Sequence, residues 1–179
     1  IMDHYYSLSD YCKEVYGTKL YKLTLESGCT CPNRDGALGR GGCSYCDNAA
    51  FHPGYSSPGK SIAQQLDEGV SFHRIRYPRA KYYLAYFQSY SNTYAPLERL
   101  KALYGEALGH PCVVGLVIGT RPDCVDEAKL DLLSSIMEGK EEGLEGWSRD
   151  GFKHPLVSVE YGVESCRDST LSRVNRGHG

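Results

Sequence analysis

Four short apolar runs, each followed by a helical pattern, constrain the fold of this chain more than any other feature. Tyr21 to Leu25 alternates with the period of two expected of a strand, and Tyr82 to Phe87 is rich in aromatic residues. Val113 to Thr120 is almost wholly apolar, and Leu156 to Val163 forms a fourth run. Residues 61–75 read as a helix, with Ser61 and Gln64 spaced as a capping box and Ile62, Leu66 and Val70 on one face. A second helix starts near Pro96 and carries Leu97, Leu100, Tyr104 and Leu108. A third carries Leu130, Leu133 and Met137 and stops at Gly139, and residues 166–174 begin a fourth. Strand followed by helix, four times over, implies right-handed parallel crossovers and therefore an α/β sheet or barrel. The third run, apolar on both faces, belongs inside that sheet. With 179 residues the chain suits one domain with a sizeable core, taken here as residues 1–179. Residues 139–154 read as a polar, glycine-containing surface connector.

In parallel α/β folds the chemistry sits at the carboxyl ends of the strands. Those ends are a cysteine-rich loop after Leu25, Gln88 to Tyr90, Gly119 to Asp123, and Glu160 to Gly162. One face of the third run presents Gly115, Gly119 and Arg121, and one face of the fourth presents Ser158, Glu160 and Gly162. Small and polar side chains there either leave room for a ligand or reflect tight packing.

Lys and Arg total 20 against 22 Asp and Glu, a balance that argues against a strongly basic nucleic-acid binder while leaving room for a local basic patch. No run approaches the roughly 18 apolar residues of a membrane span, and the first residues lack the basic start and apolar stretch of a signal peptide. The expectation is a cytoplasmic protein with no membrane partner. In a reducing compartment the eight cysteines are poor candidates for disulfides. Four crowd into residues 29–46, whereas Cys12, Cys112, Cys124 and Cys166 stand singly and read as small buried hydrophobes.

Three readings fit the crowded segment. A structural zinc site would use four thiolates in a closed tetrahedron, although Cys29 and Cys31 are closer than usual zinc ligand pairs. Cys31, Cys43 and Cys46, spaced C-x11-C-x2-C, would instead leave one position of an iron–sulfur cluster open. Or the segment is a turn-rich loop with incidental thiols. Glycines at 36, 39, 41 and 42 favour a loop folded tightly around something.

The run CPNRDGALGRGGCSYC at 31–46 resembles the cluster loop of the radical S-adenosylmethionine (SAM) superfamily, in its YhcC/YtqA-type branch. LAYFQSYSNTYAP at 84–96, VGLVIGTRPDCV at 114–125, VEYGVES at 159–165 and NRGHG at 175–179 agree with it. The TRPD and NRGH segments are also similar to those of the catalytic subunit of Elongator. The likeness runs from about residue 18 to the last, and its motifs are specific in combination. The chain departs from the branch in a longer 139–154 connector and in stopping after NRGHG.

The resemblance implies a parallel partial TIM-like barrel of radical SAM type, here an N-terminal piece of about four β/α units. It implies a [4Fe–4S] cluster on Cys31, Cys43 and Cys46, with SAM chelated at the open iron, Cys29 outside the ligand set, and a reductase or flavodoxin-type electron donor. Reductive SAM cleavage would then lead to hydrogen abstraction from a substrate. Gln88, Arg121 and Glu160, at strand ends, are the candidate SAM contacts: Glu160 for the ribose hydroxyls, Arg121 for the carboxylate, and Gln88 near the amino group. The Elongator likeness points to a tRNA wobble uridine as substrate. His73, Arg74, Arg76, Arg79 and Lys81, interleaved with Tyr77, Tyr82 and Tyr83, read as a solvated helix end or as a phosphate-contacting surface. The competing reading from another class is a zinc-binding, non-catalytic RNA-binding module.

Overall fold

A computed structural model describes residues 5–179. Four strands, β1 (Tyr21–Leu25), β2 (Tyr83–Phe87), β3 (Val113–Thr120) and β4 (Leu156–Tyr161), form one sheet in the order β1-β2-β3-β4, with every neighbouring pair parallel. Among the described residues six α-helices accompany them: α1 (Leu8–Tyr16), α2 (Pro32–Asp35), α3 (Ile62–Arg76), α4 (Leu97–Gly109), α5 (Glu127–Met137) and α6 (Asp168–Arg173). This is the expected α/β arrangement with an all-parallel sheet. Among the described residues no helix is long and apolar enough to cross a membrane.

The alternation of side chains along each strand divides the core in two. Leu23, Leu25, Tyr83, Ala85, Phe87, Leu116 and Ile118 face the crossover helices and pack against Leu66, Leu100, Tyr104, Leu108 and Ile136. Ser61 caps α3, its Oγ accepting from Gln64 N at 3.1 Å, and Ile62, Leu66 and Val70 are buried as their spacing requires. In α5 the buried face is Leu132, Leu133 and Ile136, while Leu130 and Met137 are half exposed. The expected stripe was therefore turned away from the core at two of its three positions. Cys12 and Cys124 are buried, but Cys112 is only partly so and Cys166 is exposed.

The opposite face carries Leu84, Val114 and Val117, with Tyr82, Tyr86 and Leu156 beside them. Phe152 caps this group near the amino ends of the strands. The 139–154 connector is thus no mere surface loop. Leu144 and Phe152 are buried, Trp147 packs against both core groups, and the indole Nε1 donates to Leu108 O at 3.0 Å. A polar composition had hidden three apolar anchors. Gly115 lies on the same face, where a Cβ would sit 2.3 Å from Leu156 O, so the close pairing of β3 with β4 requires glycine.

Candidate functional site: a cysteine cavity at the carboxyl ends of the strands

The chain leaving β1 turns at Gly28, and Cys31 takes the N-cap position of α2, with Pro32 at the first helical position. Arg34 N and Asp35 N donate to Cys31 O at 2.8 and 3.2 Å. The loop then folds back on α2, with Leu38 N bonded to Pro32 O and Gly42 N to Asn33 O. Asn33, almost fully buried, organises this return. A Cβ on Gly39 would lie 2.4 Å from Asn33 Oδ1, and one on Gly177 would lie 2.7 Å from it. The distant 174–177 turn docks here as well: Ser44 N donates to Val174 O at 3.0 Å, Asn175 Nδ2 to Gly42 O at 2.9 Å, and Asn33 Nδ2 to Asn175 O.

Cys31, Cys43 and Cys46 all line one cavity of ≈ 330 Å³ at the carboxyl end of the sheet. Cys29 does not line it; the Cys29 thiol is buried elsewhere and pushed up by that burial. Every cavity sulfur has nitrogen donors. Arg121 Nη1 approaches Cys31 Sγ at 3.7 Å; Asn33 Nδ2 and Arg176 Nη1 approach Cys43 Sγ at 3.7 and 3.6 Å; Arg34 Nη1 and Asn48 Nδ2 approach Cys46 Sγ at 3.8 and 3.7 Å. Three of these five donors are guanidinium groups, a donor set suited to anionic sulfur. Among the described residues no three His, Cys, Asp or Glu side chains gather around a point as a single metal ion would need.

Gln88 and Glu160 both line the cavity, together with Gly119, Gly162 and the rings of Tyr45, Tyr86, Tyr90 and Tyr161. Glu160 Oε1 pairs with Lys22 Nζ at 2.5 Å. Burial pushes the Glu160 carboxyl up, but hydrogen bonds from Lys22 and Tyr86 outweigh it and hold the group below its ordinary value. Burial and the bond to Glu160 push the Tyr86 phenol up to about 12. Tyr90 adopts φ 63°, strained for a residue with a side chain, and its ring lies under the Arg34 guanidinium.

Arg121 is not among the lining residues. Its Nε and Nη2 donate to the two Asp123 oxygens at 2.8 and 2.6 Å, and its Nη1 donates to Arg176 O at 2.8 Å. The carboxylate that Arg121 binds here is Asp123, two residues along the same turn. Two cations do line the cavity, Arg34 beside Cys46 and Arg176, the latter in the NRGHG segment for which the sequence suggested no role. The contact of Arg176 with Cys43 joins residues 133 positions apart, which no local pattern announces.

His52 was likewise unmarked. Its Nε2 stands 2.8 Å from Ser89 Oγ and 3.0 Å from Glu26 Oε2, an oxygen with no other hydrogen-bond partner. One imidazole therefore ties the segment after Cys46 to the end of β1 and to the turn after β2. The basic run around residues 73–81 precedes β2, at the opposite end of the strands from the cavity.

No protein-family model matches the chain. It is 44% identical over 163 residues to protein YhcC of Escherichia coli (strain K12), an alignment that takes in 91% of this chain and 47% of YhcC. It is 31% identical over 170 residues to uncharacterized protein MJ0486 of Methanocaldococcus jannaschii, covering 94% and 47% of the two chains. It is 30% identical over 174 residues to uncharacterized protein YtqA of Bacillus subtilis (strain 168), covering 97% and 49%. The chain spans about half the length of the curated relatives it matches.

Proposed function

We propose that this chain is the [4Fe–4S]- and SAM-binding part of a radical SAM enzyme of the YhcC/YtqA type, its four parallel strands forming part of a partial TIM-like barrel. One observation carries the reading. Three cysteines spaced C-x11-C-x2-C line one cavity at the carboxyl ends of parallel strands, each sulfur faced by nitrogen donors, with Cys29 outside. Three thiolates on three different irons stand farther apart than three on one ion. A cluster therefore accommodates cysteines that form no tight single-ion group among the described residues.

Cys31, Cys43 and Cys46 would hold the cluster, which when bound to SAM supplies the electron that breaks the sulfonium bond. The chain's own part is to bind and orient. Glu160, kept ionised by Lys22 and Tyr86, offers a carboxylate to the ribose hydroxyls. Gln88 offers an amide at the second strand end, and tyrosine rings line the cavity around it. Arg121 holds Cys31 and the 174–177 turn in place. A tRNA substrate and a flavodoxin-type or reductase electron donor belong to the proposal through the likeness alone.

The test is anaerobic reconstitution of the protein with iron and sulfide, then dithionite and SAM. A brown protein with broad visible absorbance that releases 5′-deoxyadenosine is the expected result. A colourless protein that retains zinc instead would overturn the reading in favour of the RNA-binding module.

A further inference from the structure

Arg176 is a nearly buried cation with an incomplete set of partners. Its Nη1 faces Cys43 Sγ at 3.6 Å, its Nε donates to His178 Nε2 at 3.0 Å, and its Nη2 donates to Gly162 O. The nearest carboxylate oxygen, Glu164 Oε1, is 3.7 Å away on a side chain about one-third exposed. An imidazole and a carbonyl do not balance a guanidinium taken out of water, and the negative groups near enough to help, Glu164 and the Cys43 sulfur, both lie on the cavity side. Arg121 contrasts with it, since Asp123 binds it through two short bonds. The two arginines are nonetheless linked, because the Arg121 Nη1 that approaches Cys31 Sγ also donates to the backbone oxygen of Arg176.

We infer that Arg176 raises the reduction potential of the group held by Cys31, Cys43 and Cys46, its charge stabilising the more negative, reduced state. Glu164 opposes it, and Arg121 fixes its backbone against the first cysteine. The inference rests on the cluster reading above. Hydrogen bonds and net charge at the sulfurs are among the levers by which a protein moves such a potential. A full positive charge against one ligand sulfur, inside a partly closed cavity, is poorly screened by solvent.

The experiment is a redox titration of the reconstituted protein, followed by electron paramagnetic resonance, for wild type, Arg176→Gln, Arg176→Lys and Glu164→Gln. Arg176→Gln is expected to lower the reduced-to-oxidised ratio at a fixed poise at least tenfold, about 59 mV for a one-electron couple. Arg176→Lys keeps the charge and should stay near wild type. Lysine cannot reproduce the bonds to Gly162 O and His178, so a purely structural role would damage both Arg176 variants alike. Glu164→Gln should move the potential the other way, to less negative values. An unchanged potential in Arg176→Gln, or an equal fall in Arg176→Lys, overturns the inference. Should Arg176→Gln take up no cluster, Glu164→Gln decides: a less negative potential supports the inference and an unchanged one overturns it. A wild-type protein that assembles no cluster fails the underlying reading instead.

Discussion

Lys22 and Glu160 meet at 2.5 Å although they belong to β1 and β4, the two outermost strands of the sheet. Neighbouring strands lie about 4.8 Å apart, so in a flat sheet these backbones would be roughly 14 Å from one another. A direct ion pair between them, with the Tyr86 ring of β2 under the Lys22 ammonium at 4.4 Å, requires the sheet to curl towards this face. The cavity is the upper end of that curl. Glu160→Gln keeps the shape of the side chain but removes its charge. SAM affinity is expected to fall about tenfold or more, as for the loss of a hydrogen bond to a charged group, measured by anaerobic calorimetry. The Tyr86 phenol should meanwhile drop below about 12, read from carbon-13 labelled tyrosine.

Cys43→Ala should abolish cluster uptake and 5′-deoxyadenosine release together, because two thiolates hold a cubane poorly. Cys29→Ala should spare both, since that thiol lies outside the cavity. Iron and sulfide content per chain decides between them. Loss of the cluster from the Cys29 variant and its retention in the Cys43 variant would reverse the ligand assignment.

The Arg121–Asp123 pair predicts an acid-side loss of stability. Burial pushes Asp123 up, but the two bonds from Arg121 win and hold it below the usual 3.8. The unfolded chain therefore takes up the proton first as pH falls, so the contribution is complete above about 3.8 and declines towards the lower folded value. Asp123→Asn should cost about 3 kcal/mol at pH 7, since it leaves a buried guanidinium without its carboxylate. Chemical denaturation across pH should also show a flatter acid limb than wild type.

Gly115→Ala tests the β3–β4 pairing. The added methyl would press on backbone, not on a side chain able to swing aside. A loss of about 1–3 kcal/mol is expected, whereas Gly105→Ala, with open space around its Cβ position, should be neutral or stabilising. Equal effects from the two substitutions would contradict the described register.

The strands were readable because each is a run of apolar residues too short for a helix and bounded by turn residues. Ile62, Leu66 and Val70 were readable because their spacing repeats the helical turn. What escaped has a common cause in long-range geometry. Arg121 lies at the expected strand end, but its partner there is a carboxylate two residues on, which only side-chain geometry reveals. Arg176 and Asn33 act through contacts more than a hundred residues distant. Leu144, Trp147 and Phe152 follow neither strand nor helix period, so their burial left no pattern to find.

Trp147, the one tryptophan of the chain, sits in that connector against both core groups, beneath the Arg149 guanidinium and away from the cavity wall. The chain thus carries a built-in fluorophore whose emission registers whether the two faces of the sheet are still packed. In a protein where a bound chromophore would dominate visible spectra, unfolding and loss of the chromophore become separable signals: one read at the indole, the other in the visible.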